Sequence, residues 1–119
     1  MDQSPNTKKY DLEERTFNFA KRVNGYVNSL PKIITNIENG KQLVRSSGSV
    51  AANYIEANEA LSKKDFVIRI KICRKESKES CLWLKLSAPK TESESEREYL
   101  IKESGELTKI FGSIVEGSK

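Results

Sequence analysis

Histidine is absent from this chain of 119 residues, and that absence removes whole classes of chemistry. There is no imidazole base, no Ser–His or Cys–His pair and no histidine ligand for zinc. The only two cysteines, Cys73 and Cys81, are eight residues apart. On one helix that is about 12 Å along the axis, beyond the roughly 7 Å that a disulfide spans, so both read as half-buried thiols. Neither a G-x-x-x-x-G-K-[ST] nor a G-x-G-x-x-G phosphate loop occurs. Carboxylate pairs such as Glu13/Glu14 and Glu56/Glu59 therefore stand without the partners an active site needs, and neither enzymatic activity, metal nor cofactor is expected. Three prolines and six glycines are too few for the many tight turns of an all-β chain. No apolar run approaches the roughly 20 residues of a membrane span. Residues 1–9 hold no apolar signal core, so a cytoplasmic protein without membrane contact is expected.

What is present is charge and periodicity. Hydrophobic residues make up 36% of the chain and charged residues 32%, a balance suited to helices with one apolar stripe each. After a flexible lead-in over 1–9, Asp11 reads as an N-cap and Glu14 as its capping-box partner. Leu12, Phe19, Val23, Tyr26, Val27 and Leu30 then recur at helical spacing up to Pro31. Pro31 to Gly40 reads as a connection made apolar by Ile33, Ile34 and Ile37, packed across the end of the fold. A second helix is expected from about Lys41 to about Leu61, on a stripe of Leu43, Ser47, Val50, Ala51, Tyr54, Ile55 and Leu61. Its middle, Ser46 to Ser49, is a poor helix former, but the period stays in phase across it. Ser62 can cap a third helix, with Asp65 returning the bond, and Phe66, Ile70, Cys73, Ser77, Cys81 and Leu84 form its stripe. Ala88–Pro89 ends it. A polar stretch from Thr91 to Glu96 leads into a fourth helix on Leu100, Ile101, Ser104, Leu107, Ile110, Phe111, Ile114 and Val115, with Gly105 as a weak point and residues 117–119 frayed. One domain over 10–116 follows: an all-α, antiparallel up-down-up-down four-helix bundle.

Three sets of residues go beyond what packing requires. Arg45, Asn53 and Glu56 fall near one side of helix two. They read as a polar network fixing helix register, with Glu76 or Glu79 of helix three as partner. The second set is basic: Lys63, Lys64, Arg69, Lys71, Arg74, Lys75 and Lys78 have only Asp65 and Glu76 between them. Cations on a rigid helix can grip phosphates. The competing reading pairs them, within the chain or between subunits, with the six glutamates between Glu92 and Glu106. The third set is aromatic. Trp83, one step off its stripe, and Phe17, off the stripe of helix one, are candidate anchors of an oligomer interface.

The run Gln42 to Glu56, the segment Ser62-Lys63-Lys64-Asp65-Phe66 and the stretch from Arg74 to Leu84 resemble a known family. It is the bacterial four-helix bundle proteins encoded by intervening sequences of large-subunit ribosomal RNA genes. The resemblance spans about Tyr10 to Val115, with Ala57 where the family usually has glycine. It implies the bundle fold. The family includes relatives of the accessory protein of diversity-generating retroelements, a basic, barrel-like homopentamer that binds nucleic acid and engages a reverse transcriptase. The resemblance thus implies a homopentamer as the assembly, RNA or DNA as a partner, and a protein such as a reverse transcriptase as another. Two functions are carried forward: nucleic-acid binding through the basic surface, and a scaffold that docks a partner protein such as a polymerase without touching nucleic acid itself.

Overall fold

The computed structural model describes residues 7–119, with side chains from Leu12 onward. Residues 1–6, most of the expected lead-in, lie outside that range. Four long helices follow: α1 Thr7–Asn28, α2 Ile34–Asn58, α3 Lys63–Leu86 and α4 Glu94–Gly117. A single 3-10 turn, Thr91–Ser93, precedes α4. Cross-helix contacts run in opposite directions along each pair. Asn36 meets Ala88, Ser46 meets Ser80, and Asn53 meets Arg69 between α2 and the α3 side. Arg15 meets Glu103 and Arg22 meets Glu96 between α1 and α4. The chain is an antiparallel four-helix bundle. α2 packs most extensively on α3, and of the neighbouring helix pairs α1 and α4 pack least.

The core is the expected stripe of each helix, with Phe19, Val23, Leu43, Val50, Ile70, Leu84, Leu100, Leu107 and Phe111 essentially inaccessible. Each fully buried side chain of this kind contributes about 1.5–3 kcal/mol by leaving water. Small hydroxyls are buried among them: Thr16, Ser46, Ser47, Ser77, Ser80 and Ser104. Most return their proton to the helix backbone, as Ser104 does to Ile101 O at 2.8 Å. Ser46 and Ser80 bond each other at 2.7 Å, which pairs both hydroxyls where α2 and α3 approach, while the buried Ser77 Oγ has no partner.

Several boundaries differ from the sequence reading, each for a physical reason. α1 starts at Thr7, so Asp11 lies inside the helix and does not cap it. α2 starts at Ile34, seven residues before the expected Lys41, and Gly40 is interior and buried. No described residue, glycine included, has a positive φ, so Gly40 is not a turn. A Cβ there would stand 3.0 Å from Val27 Cγ1, and the glycine serves to bring α1 and α2 together. Only residues 29–33 remain as the connection. The end of the bundle is closed instead by Asn36, which is buried in α2. Its amide donates to Pro31 O at 3.0 Å and Ala88 O at 2.9 Å and accepts from Ala88 N at 2.9 Å, tying both links at that end. Ser62 caps α3 as expected, accepting from Asp65 N at 3.0 Å. α4 begins at Glu94, inside the stretch read as a link. Ile55 and Leu61, assigned to the core stripe, are 49% and 98% exposed. Tyr54 and Ala57 take the buried positions at that end of α2, and Leu61 lies beyond the helix.

Candidate nucleic-acid interface

α3 turns Ile70, Cys73, Glu76, Ser77, Ser80 and Leu84 inward. A helix of 3.6 residues per turn must then present Lys64, Lys71, Lys75 and Lys78 on the opposite pole, and all four are exposed. Lys85, which the sequence reading did not include, extends the same line. Their spacings of seven, four, three and seven keep five ammonium groups on one ridge about 32 Å long. Ile68 and Leu82 sit among them, exposed. Lys63 is exposed at the first residue of the helix, beside the ridge.

The two arginines of the basic set lie on the flanks. Arg69 Nη1 donates to Asn53 Oδ1 at 2.9 Å, toward α2. The stem of Arg74 lies toward α4, its Cδ 3.7 Å from where a Cβ on Gly112 would stand. Of the lysines, Lys75 has an acidic neighbour, Glu76, at 3.7 Å. Among the described residues none of the α3 cations forms an ion pair with α4.

The acid of α4 faces α1 instead. Arg15 holds Glu103 through two hydrogen bonds of 2.7 and 2.9 Å and Glu106 through one of 2.8 Å. Arg22 makes a second two-pronged contact, 2.7 and 3.0 Å, with Glu96, and its guanidinium lies 3.8 Å over the ring of Tyr99. Hydrogen bonding to Glu103 raises the Arg15 pKa, bonding to Glu96 raises that of Arg22, and bonding to Glu94 raises that of Arg97. Among the described residues the basic helix and the acidic one form no ion pair inside the chain, which leaves pairing between subunits as the other form of the competing reading.

The polar set on α2 divides in two. Arg45 reaches Glu76 at 3.3 and 3.5 Å and Glu79 at 3.6 Å. The Glu76 carboxylate is only 7% exposed. Asn53 belongs to a separate group, donating to Ser49 O and Oγ at 2.9 Å each and accepting from Arg69. Glu56 is exposed beside Glu59, Asp65 and Arg69 and has no bonded partner among the described residues. Trp83 packs partly buried against the core, its Nε1 enclosed and without a hydrogen-bond partner. Phe17 is 57% exposed in a groove with Ala51 and Ile55 between α1 and α2. Val44 and Ile37 continue that groove along α2, 40% and 43% exposed. The sequence reading missed this seam, although Ile37, Val44 and Ala51 recur every seven residues. Among the described residues no group of three His, Cys, Asp or Glu side chains is placed to hold a metal ion, and no helix is long and apolar enough to cross a membrane.

The profile of the 23S rRNA-intervening sequence proteins matches residues 8–113. The chain belongs to that family. A protein of unknown function from the S23 ribosomal protein family of Bacteroides thetaiotaomicron, solved by crystallography, shares the fold at a TM-score of 0.78 and 28% identity. The alignment covers 92% of this chain and 99% of that one. No curated protein sequence matches. The chain thus shares its fold with a family member of unknown function.

Proposed function

We propose that this protein is a non-enzymatic, cytoplasmic homo-oligomer that binds nucleic acid through the outward face of α3. The observation that carries this reading is the lysine ridge, which no acid of α4 neutralises within the chain. Phosphates are the polyanion that such a ridge suits, with an affinity set by counterion release. The α1/α2 seam of Phe17, Ile37, Val44 and Ile55 supports self-association, because apolar side chains left in water in one groove favour burial. The pentamer is the assembly the family resemblance implies, and the seam lies on a different face from the ridge. A filter or gel-shift assay at about 50 mM salt tests the reading. Binding that is lost in Lys71→Glu/Lys75→Glu/Lys78→Glu supports it, and no retention of RNA or DNA by the wild-type protein overturns it.

The second reading is a scaffold that docks a partner protein, such as a reverse transcriptase or another polymerase. The same exposed seam is what favours it. A protein recovered with the bundle after nuclease treatment, and lost when Ile55 is made charged, would support this reading over the first.

A further inference from the structure

We infer that the nucleic acid taken by the α3 ridge is a duplex, held on its phosphate backbone over about one helical turn without reading base sequence. This inference rests on the nucleic-acid reading above and specifies its ligand. Three features of the ridge carry it.

The first is what stands between the lysines. Binding of single strands draws on aromatic faces on which bases stack. Among the described residues the ridge has none. Tyr99 is covered by Arg22 at 3.8 Å, Phe17 lies in the α1/α2 groove, and Trp83 packs on the core. The ridge offers Ile68 and Leu82 instead, which can lie against sugar faces but cannot pair with a base edge.

The second is the lack of a reading group. Base edges are read by bidentate arginine, asparagine or glutamine. Arg69 is held by Asn53 on one flank, and Arg74 leans over Gly112 on the other. The exposed cations on the crest are lysines, point charges without directional preference.

The third is shape. The helix spaces the five lysines over about 32 Å of its axis. One turn of duplex is about 34–36 Å, and the duplex is stiff, so it can follow the ridge without the ordering a flexible strand would need. The higher charge density of the duplex also releases more counterions per contact. With five contacts the slope of log K against log salt is about −4.5 for a duplex and about −3.5 for a single strand. If the two converge near 1 M salt, the duplex binds about 20-fold more tightly at about 50 mM.

The test is fluorescence anisotropy with the full-length protein, a labelled DNA duplex of about 12 base pairs, which has room for one ridge, and its isolated strand. Raising salt from about 50 to about 200 mM weakens the duplex complex about 500-fold and the single-strand complex about 130-fold. Lys71→Ala/Lys75→Ala/Lys78→Ala flattens the duplex slope by about 2.7, with helicity checked by circular dichroism because all three side chains are exposed. A duplex of scrambled sequence binds equally. If single strand binds as tightly as duplex, and the triple variant weakens both, the duplex inference fails while the nucleic-acid reading survives. If neither ligand binds at about 50 mM salt, both fail. A duplex slope untouched by the triple variant removes the ridge as the site.

Discussion

Replacing Gly105 by alanine will raise the stability of the bundle, and replacing Gly40 by alanine will not. Each glycine is inside a long helix, α4 and α2 respectively, so each substitution gains about 1 kcal/mol of helix propensity. An added Cβ at Gly105 meets nothing within 4 Å, and the gain is kept. At Gly40 the same Cβ would stand 3.0 Å from Val27 Cγ1, a side-chain carbon of the facing helix. Valine on a helix is nearly confined to one rotamer, so relief requires α1 and α2 to move apart. Overpacking of that kind costs about 1–3 kcal/mol, which leaves Gly40→Ala between neutral and about 2 kcal/mol destabilised. For a chain of this size about 1 kcal/mol moves Tm by roughly 4 °C. The assay is thermal unfolding followed by circular dichroism at one fixed protein concentration, because self-association would make Tm depend on concentration. Val27→Ala in the Gly40→Ala background will recover part of the loss, since the two positions touch. An equal rise in Tm for both glycine variants would refute the close α1/α2 approach. No rise for Gly105→Ala would show that its outward side is not open.

Three further outcomes follow from the same packing. Burial pushes the Cys73 thiol from about 9.0 up to about 12, while the unfolded chain releases that proton near the lower value. Stability is therefore full below pH 9.0 and falls as pH rises toward 12, by up to about 1.4 kcal/mol per pH unit, and urea midpoints from pH 8 upward should fall less steeply in Cys73→Ala. Arg45→Leu leaves the enclosed Glu76 carboxylate with Lys75 alone, a loss of about 1–3 kcal/mol in urea midpoint that Arg45→Leu/Glu76→Leu should largely reverse. Val44→Glu or Ile55→Glu, both in the exposed seam, should reduce the particle mass seen by light scattering without loss of helicity, and an unchanged mass would exclude the seam from assembly.

How much of this was legible beforehand depended on whether a residue's meaning is set by period or by neighbours. Leu43, Val50 and Tyr54, and Leu100, Leu107 and Phe111, declare their helices and their buried sides through spacing alone, because a repeat near 3.6 admits one solution. Ser62 before Asp65 declares its cap through local chemistry. Gly40 did not: glycine marks an end of helix or a close approach with the same residue, and only Val27 on another helix decides which. The role of Asn36, inside the stretch read as a connection, is not legible because its partners, Pro31 and Ala88, belong to two different links. Ile55 carried the opposite ambiguity. An apolar residue next to the stripe widens it or begins a second face, and the width of the neighbouring helix determines which.

The same distinction governs the charges, and with them the candidate site. Composition says only that one helix is basic and another acidic, which invites pairing them. Phase forbids it. On α4 Glu96 and Glu103 are seven residues apart on the flank toward α1, and the arginines that meet them, Arg22 and Arg15, are seven apart on α1. Two heptad-spaced pairs on antiparallel helices meet in one register and consume each other's charge. On α3 the lysines share that seven-residue spacing but start on the pole opposite Ile70 and Leu84, where no helix of the chain can reach them. A rotation of the lysine pattern by a third of a turn would have brought it against α2 or α4 and turned a binding surface into a packing one. What leaves the ridge free for a polyanion is therefore its angular offset from the core stripe, a quantity already present in the sequence as the phase between the lysines and the stripe of Ile70, Cys73, Ser77 and Leu84.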